Sequence, residues 1–314
     1  MDIFKKKVKP HKTTYFFCGI PVFRTTPKVK DITWDALQRI QKLEYCTMPD
    51  ITEQKPAQGL RREFQLANMK LLKVIVDFCN KHKIRYWLAY GSLLGAVRHG
   101  DFIPWDDDID ICMLREDYSK IVDLFNKENA DTDYEIVYYS SPNGLCNLYK
   151  VKNKNIPELW VDIFPYDFYS RKIETWDERI KLTSRRRKII RRNRVFYTGQ
   201  DVKKFHERIF NTCHPKIMDG QQSAPESSKP DLVAGCEFMH SPKYSIFLGY
   251  DTIFPLKTIK FGDLEVSCPN DIDTYLTSCY GDYMAYPTYI DNIHTDISKM
   301  PIDDILKIKK FIKE

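Results

Sequence analysis

The feature that most restricts how this chain can fold is a run of carboxylates threaded with apolar residues, Trp105-Asp106-Asp107-Asp108-Ile109-Asp110-Ile111. Read as an extended segment, its side chains alternate between faces. Asp106, Asp108 and Asp110 then point one way, while Ile109 and Ile111 point into a core. Carboxylates so close repel and raise one another's pKa. A hard divalent cation, Mg²⁺ (or Mn²⁺), removes that cost and leaves positions free for substrate phosphates. An ordinary aspartate run is a solvated surface turn. Three features weigh against that here: the interleaved apolar residues, the tight Gly91-Ser92 turn before them, and an isolated acid in Trp160-Val161-Asp162-Ile163-Phe164. Asp162 lies in an apolar run that reads as a strand, where an aspartate is costly unless paired or metal-bound. The expected chemistry is metal-assisted phosphoryl transfer, with Asp106, Asp108, Asp110 and Asp162 as metal ligands and catalytic acids.

A strand, a Gly91-Ser92 turn, a helix, an Asp108-Ile109-Asp110 segment and a later lone Asp162 together resemble the nucleotidyltransferase fold. The expected class is therefore α/β, a mixed sheet with added helices. The match extends further. Gly91-Ser92-Leu93-Leu94-Gly95-Ala96-Val97-Arg98-His99, followed by Ile103-Pro104-Trp105-Asp106 with Asp108 and Asp110, closely resembles the LicD family, which includes the fukutin-type proteins of animals. Resemblance continues through Asp162-Ile163-Phe164-Pro165-Tyr166-Asp167. It resumes at Phe261-Gly262-Asp263 and at Tyr280-Gly281-Asp282-Tyr283-Met284, spanning roughly 65–290.

That resemblance implies an enzyme that moves a phospho-alcohol, phosphocholine first, from a CDP-linked donor such as CDP-choline. The acceptor would be a hydroxyl of a glycan or glycolipid, as in bacterial lipopolysaccharide, capsule or teichoic acid. It also implies that Gly91 and Ser92 grip the donor phosphates, and it places Arg98 and His99 in the motif. Ser92 has a second reading as a helix N-cap. Arg98 could pair with phosphate or lock the aspartate loop. Trp105, after Pro104, would fix the corner that aims Asp106, or wall the site. Lys150, Lys152 and Lys154 alternate along a strand. They could neutralise donor phosphates, with Lys150 and Lys152 as substrate contacts, or simply protect an exposed edge.

The organisation expected is an arm with a hairpin-like extension over 1–60, a catalytic domain over 61–290 and a helical tail over 291–314. The catalytic domain carries a basic helix and a loop insertion at about 175–240. Helical spacing marks 61–82, 92–99, 116–127, 175–198, 201–212 and 271–280. Strands are expected at 85–90, 135–140, 145–152 and 159–164, and a hairpin at 254–266 turning at Gly262-Asp263.

A formal charge of +6 over 314 residues suits an acidic ligand or membrane surface without arguing for DNA. The cations concentrate in residues 185–194, where Arg185, Arg186, Arg187, Lys188, Arg191, Arg192 and Arg194 fall on one helical candidate. Such a run is a solvated face or a contact with anionic lipid or acidic glycan, and no nucleic-acid motif accompanies it. No stretch approaches the ~20 apolar residues of a membrane span. The expected location is cytoplasmic, with peripheral contact at the inner face of the cell membrane. Nine scattered cysteines without a Cys-x-x-Cys pair suit a reducing compartment. Cys213, His214, Cys236 and His240 could ligate zinc, but their spacing follows no established pattern. Two rival functions remain: a nucleotidyltransferase that attaches the nucleotide itself, and a non-catalytic glycan- or lipid-binding protein on the same fold.

Overall fold

A computed structural model describes residues 4–9, 12–17, 20–25, 50–141, 146–169, 175–193, 202–208, 211, 229–235, 247–287, 295 and 297–314. The chain divides into two compact units. In the first, Met1–Pro49 with Tyr286–Ile290, strands β1 (Phe4–Lys9), β2 (Lys12–Phe17) and β3 (Ile20–Thr25) form an antiparallel sheet in that order. The hairpin expected near its start is the β2–β3 pair, preceded by one more strand.

The second unit, Asp50–Ala285 with Asp291–Glu314, carries the candidate site. Its first long element, α1 (Gly59–His82), has Ala67, Leu71, Leu72, Ile75, Phe78 and Cys79 buried at helical spacing. Lys83 then adopts the left-handed conformation at the C-cap. The two-residue β4 (Trp87–Leu88) leads into α2 (Tyr90–His99), and β5 (Ile109–Leu114) into α3 (Arg115–Glu128). Three strands follow: β6 (Tyr134–Ser140), β7 (Asn147–Asn153) and the long β8 (Ile156–Tyr169). Beyond them lie α4 (Trp176–Asn193), α5 (Val202–Arg208), β9 (Asp231–Ala234), β10 (Phe247–Leu248) and α6 (Tyr250–Ile253). The expected hairpin is β11 (Lys257–Phe261) with β12 (Leu264–Cys268). It precedes α7 (Ile272–Tyr280), which is capped by Asp271 accepting from the Thr274 N–H, and the tail helix α8 (Ile302–Lys313).

Seven strands make one mixed sheet with β8 at its centre. β5 runs parallel to β8 on one side. On the other side β7 pairs antiparallel with the first half of β8 and β9 with its last four residues. This is the α/β class expected from sequence. In the β5–β8–β7 register, Asp110 lies beside Asp162 and Asp162 beside Lys150. Strand alternation puts these three on one face, and Ile109, Ile111, Val161 and Ile163 on the other, each fully buried. The helices α1 and α3 meet through Phe78 and Phe125, whose ring centroids lie 4.9 Å apart. Tyr118 of α3 stacks flat on Tyr149 of β7, 3.9 Å between centroids, so α3 covers the face opposite the aspartates.

Two boundaries differ from the sequence expectation for identifiable reasons. The strand expected at 85–90 is reduced to Trp87–Leu88 because Tyr90 turns to a positive φ of 47° and opens α2. The extended segment expected from Asp106 begins only at Ile109, because Asp106 closes a turn by donating its N–H to the Ile103 carbonyl.

The junction of β5 and α3 is tied to the far end of β8 by a two-pronged ion pair. Arg115 Nε donates to Asp167 Oδ1 at 2.8 Å and Nη2 to Oδ2 at 2.9 Å, with Asp167 almost fully buried. Removing one partner of such a pair strands a buried charge, at a cost of roughly 3–5 kcal/mol. Urea unfolding should show that loss for Asp167→Ala and for Arg115→Ala. The double variant should lose much less than the sum.

Candidate active site

The Gly91-Ser92 turn holds the aspartate strand by its backbone. The Ala89 N–H donates to the Asp110 carbonyl at 3.0 Å, and the Ser92 hydroxyl oxygen accepts the Asp110 N–H at 2.9 Å. Ser92 is therefore not the N-cap, a position taken by Ala89; it is the third residue of α2 and is buried. A bulky residue in the left-handed region is uncommon and strained. Tyr90 is kept there by its ring contact with Phe164, 5.2 Å between centroids, and by its hydroxyl, 3.3 Å from that of Tyr166.

Glycine is required at two points of this turn and helix. A Cβ on Gly91 would stand 2.8 Å from Asp106 Oδ2, so the bare Cα lets that carboxylate lie against the helix start. A Cβ on Gly95 would meet the Asp101 carbonyl at 2.5 Å and the Ile103 nitrogen at 2.8 Å, where the loop backbone crosses α2.

From α1, a polar stripe grips the same loop. Arg61 Nη1 donates to the Trp105 carbonyl at 3.0 Å, and Gln65 Nε2 to the carbonyls of Ile103 and Asp106 at 3.3 and 2.9 Å. Asn68 Nδ2 reaches the Asp107 carbonyl at 2.9 Å, while Arg62 forks onto Asp101 at 3.1 and 2.6 Å. The sequence reading followed only the apolar stripe of this helix and missed these residues. Its signal was two amides, Gln65 and Asn68, set among apolar neighbours; both are buried.

So held, Asp108, Asp110 and Asp162 each bring one carboxylate oxygen within 4.8 Å of the others. Asp106, Asp107 and Asp108 form an adjoining group that shares Asp108, again with one oxygen of each within 4.8 Å of the others. All four acids named from sequence thus fall in two connected groups, and Asp107 joins them. Asp107 Oδ2 also accepts the Thr295 N–H at 2.6 Å, which ties the loop to the C-terminal segment. Burial, then the charges of Asp108, Asp162 and Asp106, push Asp110 well above the usual carboxylate range. An all-oxygen set of clustered carboxylates is the donor chemistry that suits Mg²⁺, Mn²⁺ or Ca²⁺.

Among the described residues, Lys150 brings a cation to this group. Lys150 Nζ lies 2.8 Å from Asp162 Oδ1, and the residue is buried. Its neighbour Lys152 is half-buried, and burial with the charge of Lys150 lowers its pKa. Lys154, expected in line with them, lies past the end of β7 and donates to the Thr132 carbonyl at 2.7 Å. The bulge between Lys152 and Asn153 breaks the alternation.

Arg98 is buried, with Nη2 donating to the Ala285 carbonyl at 3.0 Å. It thereby anchors the chain just after the Tyr283-Met284 segment. His99 has its pKa lowered, first by burial and then by Arg98, which favours the neutral ring. Trp105 is part-buried against the core at the corner before Asp106. Cys213, His214, Cys236 and His240 lie outside the described residues, as do Arg194 and most of the 215–230 loop. Arg185, Lys188 and Arg192 are exposed on α4.

Residues 83–225 match the family model described as the LicD/FKTN/FKRP nucleotidyltransferase domain. Over these residues, just under half of the chain, the sequence is similar to the LicD family. It is similar to the lipopolysaccharide cholinephosphotransferase LicD of Haemophilus influenzae, 26% identical over 252 residues, covering 72% of this chain and 92% of that one. It is similar also to human ribitol 5-phosphate transferase FKRP, 39% identical over 101 residues, 32% of this chain and 20% of that one. An uncharacterised Rickettsia prowazekii protein is 30% identical over 129 residues, 40% of this chain and 48% of that one. The LicD domain match contains α2, Asp106 to Asp110, Lys150 and Asp162, whereas α1, which grips the loop, ends just before it.

Alanine in place of a mid-helix glycine ordinarily gains about 1 kcal/mol. Gly95→Ala should instead destabilise, because both atoms it would strike are backbone. Thermal and urea unfolding check this, and a gain in stability would contradict the close crossing.

Proposed function

We propose that this chain transfers a phospho-alcohol, phosphocholine first among the candidates, from a CDP-linked donor to a hydroxyl of a glycan or glycolipid. The observation that carries the reading is the meeting of Asp108, Asp110 and Asp162 beside Lys150, inside the matched domain. The names of the relatives support it: one moves cholinephosphate onto lipopolysaccharide and another moves ribitol 5-phosphate.

In this reading Asp108, Asp110 and Asp162 would hold Mg²⁺ or Mn²⁺, with Asp106 completing the set. A divalent cation held there would supply Lewis-acid stabilisation of the charge that develops on the donor's leaving group. The N-terminal turn of α2 offers backbone N–H groups to phosphate, with Gly91 and Ser92 nearest its start. Lys150 neutralises phosphate charge from the β7 side, with Lys152 behind it. One carboxylate of the set accepts the proton of the incoming hydroxyl. Arg98, His99 and Trp105 shape the motif around the donor. The exposed cations of α4 suit the anionic inner face of a membrane that bears the acceptor; a cytoplasmic location belongs to the same proposal.

The direct test is calorimetric binding of CDP-choline, CDP-glycerol and CDP-ribitol to the whole chain, with Mg²⁺ and with EDTA. Binding of one donor that EDTA abolishes is the expected outcome. Turnover should release CMP and leave the phospho-alcohol on the acceptor; a nucleotide left on the acceptor would overturn the reading. Asp108→Asn and Asp110→Asn should each lose transfer while far-UV circular dichroism stays native. Wild-type turnover by either would sink the assignment.

A further inference from the structure

Beside the carboxylates, Lys150 is held in a way that a phosphate-seeking surface lysine is not. Its Nζ lies 4.5 Å from the ring centroid of Tyr139 and 4.2 Å from that of Trp160. The ion pair to Asp162 completes the arrangement at 2.8 Å. The strand register explains why these groups converge. Lys150 is opposite Asp162 on β8, Trp160 is two residues back on the same face, and Tyr139 lies on β6 opposite the residue two before Lys150. Cations over aromatic faces are attracted by the ring quadrupole, more strongly when removed from water. A lysine stem carries substantial rotamer entropy, and the two rings with the carboxylate remove that freedom in advance.

A fixed ammonium among metal-binding carboxylates has opposite effects on two ligands. It repels a bare divalent cation, and it attracts the diphosphate that such a cation would bridge. From this we infer that Lys150, positioned by Tyr139 and Trp160, couples the two ligands: the site takes a divalent cation together with a diphosphate far better than the cation alone. Tyr139 and Trp160 are then positioning residues that act through Lys150. The inference deepens the phosphotransferase reading and rests on its carboxylate site, but not on the identity of the nucleoside or the alcohol.

The experiment is isothermal titration calorimetry on the full chain with Mn²⁺ alone and with Mn²⁺ plus inorganic pyrophosphate, a probe free of base and alcohol. Wild-type protein should bind Mn²⁺ more tightly when pyrophosphate is present, by a factor in the range usual for linked sites, roughly 5–150-fold. Lys150→Met should tighten Mn²⁺ alone, weaken Mn²⁺ with pyrophosphate and bring that factor close to one. Lys150→Arg should restore part of it. Trp160→Leu keeps the charge and frees its position, so it should weaken the pyrophosphate arm while leaving Mn²⁺ alone within about twofold; it also serves should Lys150→Met not fold. A merely structural lysine would shift both arms in the same direction, and that result, or an unchanged factor, overturns the inference while the carboxylate site stands. Failure of wild-type protein to bind Mn²⁺ at all, with Asp162→Asn no different, overturns the inference and the metal reading together.

Discussion

Like-charge repulsion among Asp108, Asp110 and Asp162 is the constraint on which the surrounding structure depends. Three carboxylates within 4.8 Å do not gather by themselves. Each is held by the backbone on which it sits. Asp110 and Asp162 are neighbours because β5 and β8 are parallel and in register. That pairing is stabilised from the opposite face, where Ile109, Ile111, Val161 and Ile163 are fully buried. The hydrophobic face thus supplies the free energy that the polar face consumes. The Ser92 oxygen and the Ala89 N–H fix Asp110 at both its backbone groups, so the strand cannot slide to relieve the repulsion.

Loop and helix share the same task ahead of the strand. Asp106 to Asp108 have no sheet partners, and their place is set by side chains that reach carbonyls from α1. Gln65 serves two carbonyls and Asn68 one, and the glycines at 91 and 95 permit the approach. A loop held by buried amides is more exact than one held by apolar contact, because amides left without partners would cost desolvation energy. Arg98 extends the arrangement to the backbone at Ala285 and Asp107 extends it to Thr295, so distant parts of the chain close on one motif.

Much of this was legible from local pattern. Helical spacing located α1, α3 and α7, alternation located β6 and β7, and Gly262-Asp263 marked the β11–β12 turn. Asp162 announced itself as an acid in an apolar strand. What failed was also local in cause. The alternation argument put Asp106 in a strand, but a turn closed by the Asp106 N–H starts the strand three residues later. It put Lys154 in line with Lys150, and a bulge took it out. The stripe of Arg61, Gln65 and Asn68 was overlooked because amphipathic reading scores polar residues as solvent-facing.

The sequence by itself determined which side chains could do chemistry, since carboxylates interleaved with isoleucines admit few uses other than a charged face above a core. It also pointed to the LicD family, through a long motif of uncommon residues that the domain match over residues 83–225 contains. Only the tertiary structure decided the company those residues keep. That Asp110 lies beside Asp162, that Lys150 pairs with Asp162 between Tyr139 and Trp160, and that α1 grips the loop all depend on strand register and helix placement. The physical reason is range. Periodicity and capping act within a few residues, whereas the pairing of β5 with β8 joins positions about fifty residues apart and is settled by burial of the whole sheet.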